Sequence, residues 1–143
     1  MYFGCKEEID EMKLVIGGYS QGKLNYVLNK NRLMEFCIVD GELPNTEQLQ
    51  EAKDKGQTVI VNHFHQWVIS SIRKGKNAEQ EILDFIDKVP NSIVISDEIG
   101  NGIVPMDSFE REYRERTGRI LVKLAVQADE VVRVICGIGQ KIK

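Results

Sequence analysis

The sequence is short of most residues that mark specialised chemistry. Its 143 residues include one tryptophan, two histidines, three cysteines and three prolines. Three cysteines cannot all pair within one chain, and Cys5, Cys37 and Cys136 form no CxxC motif. That argues against a disulfide framework and points to a reducing, cytoplasmic setting. With few prolines and no Gly/Ser-rich tract, nothing reads as a linker, so residues 1–143 are expected to form one domain. Neither charge sign dominates: 19 basic against 22 acidic side chains leave a net charge of −3, which excludes a general nucleic-acid binder. No apolar run approaches the roughly 20 residues of a membrane helix. The first twelve residues carry acids and lack an apolar core, so no signal peptide is expected.

What is present is alternation. Lys13 to Ile16, Glu35 to Val39, Thr58 to Val61, Ser92 to Ser96 and Val131 to Ile135 are short runs rich in β-branched residues. Most are apolar throughout, as strands buried on both faces tend to be. The stretches between them read as helices. Thr46 caps one that runs to Asp54, and Asn77 caps one holding Ile82, Leu83, Phe85, Ile86 and Val89 at helical spacing. Ser108 caps the longest, where Phe109, Tyr113, Ile120, Leu124 and Ala128 share a stripe. That helix also carries three acid-to-base pairs at i,i+4: Glu110–Arg114, Glu112–Arg116 and Glu115–Arg119. Strands alternating with helices imply a three-layer α/β fold with a mostly parallel sheet.

The first strand runs into Gly17-Gly-Tyr-Ser-Gln-Gly-Lys23-Leu24. This matches G-x-x-x-x-G-K in a strand–turn–helix context, the pattern of a phosphate-binding loop. Glycines let successive N–H groups point into one concavity at a helix N-terminus, where an anion binds. Lys23 would then face the β- and γ-phosphates. The position after Lys23 is Leu24, which has no hydroxyl for Mg²⁺. The bland reading is an ordinary glycine turn.

In proteins with such loops, a second apolar strand commonly ends in an acid. Here Val59-Ile-Val61 ends in Asn62, which can bond a metal-bound water but brings no charge. Then come His63 and His65, the only histidines, which would share one face if the strand continued. They read either as polar residues beside Trp67 or as ligand contacts at a strand's C-terminal end, where open α/β sheets bind ligands. A small hydrolase using one of them is a third, weaker function. The acids Asp97 and Glu98, which end the Ile93 strand ahead of a Gly-x-Gly turn, could bind Mg²⁺ or a substrate hydroxyl; turn chemistry is the alternative.

The segment Ser96-Asp97-Glu98-Ile-Gly100-Asn-Gly102-Ile-Val-Pro105 resembles the S-N-E-x-G-x-G-I-V-P signature of the adenosylcobinamide kinase/adenosylcobinamide-phosphate guanylyltransferases of cobalamin biosynthesis. The resemblance continues through Phe109, Arg111, Gly118-Arg119, Leu124-Ala125, Ala128 to Val131 and the closing Gly137 to Lys143. It implies a RecA-like P-loop NTPase fold, GTP or ATP as nucleotide with Mg²⁺, adenosylcobinamide or another corrinoid as acceptor, and a homo-oligomer. It implies nucleotide contacts from Gly17, Gly18, Tyr19, Ser20, Gln21, Gly22, Lys23 and Leu24, from Val39, Asp40 and Gly41 at the second strand's end, and from Asn62. Lys23 and Glu98 are the catalytic candidates. The sequence departs from the family pattern at Gln21, Leu24, Asn62, Asp97 and Leu121-Val122. The family's guanylylated histidine lies between its second and third strands; here that segment, Glu42 to Gln57, contains none. The expected function is nucleotide-dependent transfer to a corrinoid without the usual guanylyl route. The alternative is a non-catalytic module binding nucleotide, corrinoid or a partner protein.

Overall fold

The computed structural model describes residues 11–98 and 107–143. The signature's Gly100, Gly102 and Pro105, along with Cys5, lie outside them. Along the chain the elements are β1 (Lys13–Gly17), α1 (Lys23–Lys30), β2 (Phe36–Asp40), α2 (Thr46–Asp54), β3 (Thr58–Asn62), α3 (Phe64–Arg73), α4 (Ala78–Lys88), β4 (Ser92–Asp97), α5 (Ser108–Gln127), β5 (Glu130–Ile135) and β6 (Ile138–Lys141). They form one six-stranded sheet in the order β2-β3-β4-β1-β5-β6. The first five strands are parallel and β6 is antiparallel to β5. The expected α/β architecture with a mostly parallel sheet is what the chain adopts.

Strand order and chain direction explain where the helices lie. The β1-to-β2 connection crosses β4 and β3 to reach the far edge, and every later crossover runs back the other way. Right-handed connections then put α1 on one face and the other helices opposite. Packing agrees. Leu14, Val59, Val61, Val94 and Val131 meet Phe64, Val68, Ile82, Phe85, Ile120 and Leu124 in the larger core. Among the described residues, Val15, Ile60, Ile93, Ile95, Val132 and Val134 pack with Val27, Leu24, Tyr26 and Leu28 of α1, with Phe36 at the edge. Eight helical residues cannot cover that whole face, and Ile38 on β2 stays 44% exposed.

The helix starts follow their capping chemistry. Asn45, one residue before the expected Thr46, caps α2 in a full capping box with Gln48, and Asn77 accepts from the Gln80 N–H at the start of α4. Asp107, one residue before the expected cap, bonds the Glu110 N–H of α5. The three i,i+4 pairs of α5 all form, at 3.0, 3.3 and 3.6 Å.

Two elements were not expected. One is β6, which continues β5 through the two-residue turn Cys136-Gly137. Both turn residues have positive φ, 51° and 76°, as a type I′ hairpin requires. The other is α3, which begins at Phe64. His63 and His65 therefore do not share a strand face: His63 turns the chain in the left-handed region (φ 50°) and His65 lies on the helix. Among the described residues no helix is long and apolar enough to cross a membrane.

Candidate phosphate-loop site

The C-terminal ends of β1, β4, β3 and β2 lie along one edge of the sheet. Register pairs Gly17 with Asp97 and Asp40 with Asn62. The chain leaving β1 is the loop Gly17–Lys23, and α1 begins at Lys23 with Gly22 before it at φ 82°. Ser20 is also left-handed, at φ 54°. Alternating backbone handedness of this kind turns N–H groups into a common hollow. Gly17 has no room for a side chain, since a Cβ there would sit 2.5 Å from the Val134 carbonyl oxygen.

Gln21 holds the loop from the other side. Its side-chain oxygen accepts from the Cys136 N–H at 2.7 Å, and its carbonyl accepts from the Gly137 N–H at 2.9 Å. The residue that departs from the family loop is thus a clamp onto the β5–β6 turn. Tyr19 extends into solvent, and Leu24 packs against the smaller core rather than toward the loop.

Lys23 is only 8% exposed. Its Nζ donates to the Gly18 carbonyl at 2.7 Å, the Gly17 carbonyl at 3.4 Å and Asp97 Oδ1 at 2.6 Å. A buried ammonium needs such partners, because desolvation alone would cost several kcal/mol. Asp97 is therefore not a turn residue. It ends β4 as the counter-ion of the loop lysine. Its other oxygen lies 3.3 Å from His65 Nε2, and its N–H donates to His65 Nδ1 at 3.2 Å. Because Nδ1 accepts from the backbone, the neutral ring carries its proton at Nε2, the nitrogen nearer the carboxylate. Burial pushes its pKa below the ordinary histidine value, with Asp97 opposing. Tyr113 of α5 donates to the His65 carbonyl, and burial, reinforced by Asp97, pushes the phenol up to about 12.

Beside this group is a second one. His63 Nδ1 contacts Asp40 Oδ1 closely, and Asn62 Nδ2 donates to the same oxygen at 3.2 Å. The Asn62 side chain thus faces Asp40. The rings of His63 and His65 meet edge-to-face with centroids 5.7 Å apart. Lys23, Asp97, His65, His63 and Asp40 thus form one row across the sheet edge. Energetically the His63 end is unrewarding: a partly exposed hydrogen bond gives about 0.5–1.5 kcal/mol, while a left-handed non-glycine residue costs about 1–3 kcal/mol. Glu98 is held by Arg133, with contacts of 2.7 Å to Nε and 3.1 Å to Nη2. Val39 is a core residue, and Gly41 takes φ 69° just past Asp40.

The donor set does not suit a protein-held Mg²⁺. Leu24 offers no oxygen, Asn62 is neutral and bonded to Asp40, and Asp97 is bonded to Lys23. No group of three His, Cys, Asp or Glu side chains among the described residues could hold a metal ion.

In the sequence Lys23, Asn62, His63, His65 and Asp97 are separate features; the structure joins Lys23 and His65 through Asp97, and Asn62 and His63 through Asp40. The available signal was register, because a residue ending β4 beside β1 must meet whatever projects from the loop.

A parallel sheet with a G-x-x-x-x-G-K loop at the end of an inner strand defines the phosphate-loop NTPase class of fold. Within it, residues 28–142 match the family model "Cobinamide kinase / cobinamide phosphate guanyltransferase", and the chain belongs to that family. Its similarity to a bifunctional adenosylcobalamin biosynthesis protein CobU of Salmonella typhimurium is 37% identity over 84 residues, 57% of this chain and 46% of the relative. The Escherichia coli protein of the same name is 36% identical over 80 residues, 54% of this chain and 44% of the relative. The matches span just under half the length of these curated relatives.

Proposed function

We propose that the chain binds a nucleoside triphosphate, GTP or ATP, at residues 17–23 and transfers its γ-phosphoryl group to the hydroxyl of a cobinamide, the kinase step of cobalamin biosynthesis. The observation that carries this is Lys23: a buried cation at the mouth of a glycine-lined anion hollow, held by three oxygens that phosphate oxygens can replace. Transfer of this kind rests on positioning and charge neutralisation rather than covalent chemistry by the protein. Lys23 would meet the transferring group, and the N–H groups of Gly18 to Gly22 would line the phosphates. Asp40, Gly41 and Asn62 would border the nucleotide, and Arg133 would hold Glu98 beside the loop. Guanylyl transfer through a histidine of the β2–β3 segment is not part of this reading, since none is there.

A melting panel with GTP and ATP, with and without adenosylcobinamide, tests the reading. Wild-type protein should melt higher with nucleotide, and Lys23→Ala should remove the rise. No shift at millimolar nucleotide would overturn it.

A second reading is supported by Asp97, whose carboxylate already occupies the lysine. In it the fold is a non-catalytic module for nucleotide, corrinoid or a partner protein. Phosphorylation of adenosylcobinamide by the purified chain would end that reading. Self-association belongs to either one. Ile135, Ile138 and Ile142 on β5, β6 and the residues after, with Val122 and Val126 on α5, are large exposed apolar side chains, and sedimentation should show a species heavier than 16.3 kDa.

A further inference from the structure

The geometry points to His63, oriented by Asp40, as the general base that takes the proton from the acceptor hydroxyl; this rests on the kinase reading above. The two histidines of the row are chemically different. The lone pair of His65 Nδ1 accepts from the Asp97 N–H and its Nε2 lies 3.3 Å from the Asp97 carboxylate, so the neutral ring has no free lone pair to offer. His63 meets Asp40 through Nδ1 alone. Nδ1 lies against the Asp40 carboxylate, with the Asn62 amide nitrogen 3.3 Å from the same ring atom; in the neutral tautomer protonated at Nδ1, Nε2 holds the lone pair. Asn62 donates to the same Asp40 oxygen and fixes the carboxylate that fixes the ring. An acid on one imidazole nitrogen and a free lone pair on the other is the arrangement that makes a histidine a directed base.

Position agrees with this role. His63 is the residue before α3 yet makes no side-chain cap bond to that helix, so its ring is not spent on structure. It is 41% exposed, hence open to an acceptor, and it adopts a left-handed backbone that glycine would adopt more readily. Lys23 marks where the transferring phosphoryl group would lie, at the end of β1. The end of β3 is two strand spacings away, about 10 Å. Asp97 and His65 lie between them at the sheet edge, so the phosphoryl group and the attacking oxygen would sit above that pair, between the loop and His63.

The step balances. The acceptor oxygen forms a bond to the γ-phosphorus, the bond from that phosphorus to the β-bridging oxygen breaks, and the nucleoside diphosphate leaves with the electron pair. The hydroxyl proton passes to His63 Nε2, and the imidazolium then returns it to solvent.

The test uses full-length protein with ATP or GTP and adenosylcobinamide, measuring phosphoryl transfer and, separately, the melting shift with nucleotide. His63→Gly suits the backbone and leaves a hole the size of the ring. It should lower kcat about 10²–10³-fold, leave the nucleotide melting shift as in wild type, and regain activity with millimolar imidazole. Asp40→Asn, at an exposed position, should lower kcat about tenfold or more and displace the pH profile of kcat, and imidazole should not restore it. Wild-type kcat in His63→Gly, or loss of activity that no imidazole concentration restores, would overturn the base while leaving the kinase reading intact. A wild-type protein that transfers no phosphoryl group would overturn both.

Discussion

Lys23 and Asp97 set the terms for any anion at this site. Their 2.6 Å contact is partly shielded from water, so on the proposed reading an incoming phosphate would compete with a carboxylate already in place. Asp97→Asn keeps the shape and removes the competing charge. Nucleotide should then bind more tightly by about 1 kcal/mol, roughly fivefold. The unliganded protein should melt lower, because Lys23 loses its counter-ion. A titration calorimeter and a melting curve read the two effects separately, and weaker binding by the variant would count against competition. Gly17 is a second residue with a sharp expectation. A methyl group there meets backbone on β5, not a movable side chain. Gly17→Ala should cost about 1–3 kcal/mol in urea unfolding, as overpacking does.

Helix caps carry stability that the loops themselves lack. Asn45→Ala should cost about 1 kcal/mol, and Asn77→Ala a similar amount, visible as lower urea midpoints with unchanged slopes. At this scale the strands were the most legible feature. All five expected runs are strands, displaced by a residue or so, because continuous β-branched runs between turn residues have few other uses. Helix α3 was not legible. Its first turn, Phe64-His65-Gln66-Trp67, follows an apolar strand with no glycine or proline between, and the break is made by His63 in the left-handed region. Histidine is an uncommon choice there, so the sequence carries no stop signal. The same gap hid the site: with His63 and His65 read as strand residues, nothing placed one against Asp40 and the other against Asp97. Strand β6 escaped for a related reason, since Cys136-Gly137 is not a usual hairpin pair.

For the molecule as a whole, two displaced titrations bracket the stable range. The folded state lowers the pKa of His65 below 6.5, so the native form favours the neutral ring. The stability this group contributes is present above its unfolded value and is lost as pH falls through the folded one. Melting temperature should therefore drop on acidification from neutral pH, and His65→Gln should flatten that part of the profile. Tyr113 behaves in the opposite sense. Its phenol is raised to about 12, so its contribution holds below the unfolded value near 10 and disappears as pH rises toward 12. An ultraviolet titration should show one late-ionising tyrosine that is absent in Tyr113→Phe. Finally, the clamp from Gln21 to the β5–β6 turn joins positions 115 residues apart in sequence. The glycine loop is thus braced by a distant stretch of the chain, and a nascent or truncated chain lacking the Cys136 turn would present an unbraced loop. Nucleotide capture should accordingly report completed folding: occupancy should slow global unfolding rather than rigidify a local segment, and hydrogen exchange at β5 and β6 should fall together with that of the loop.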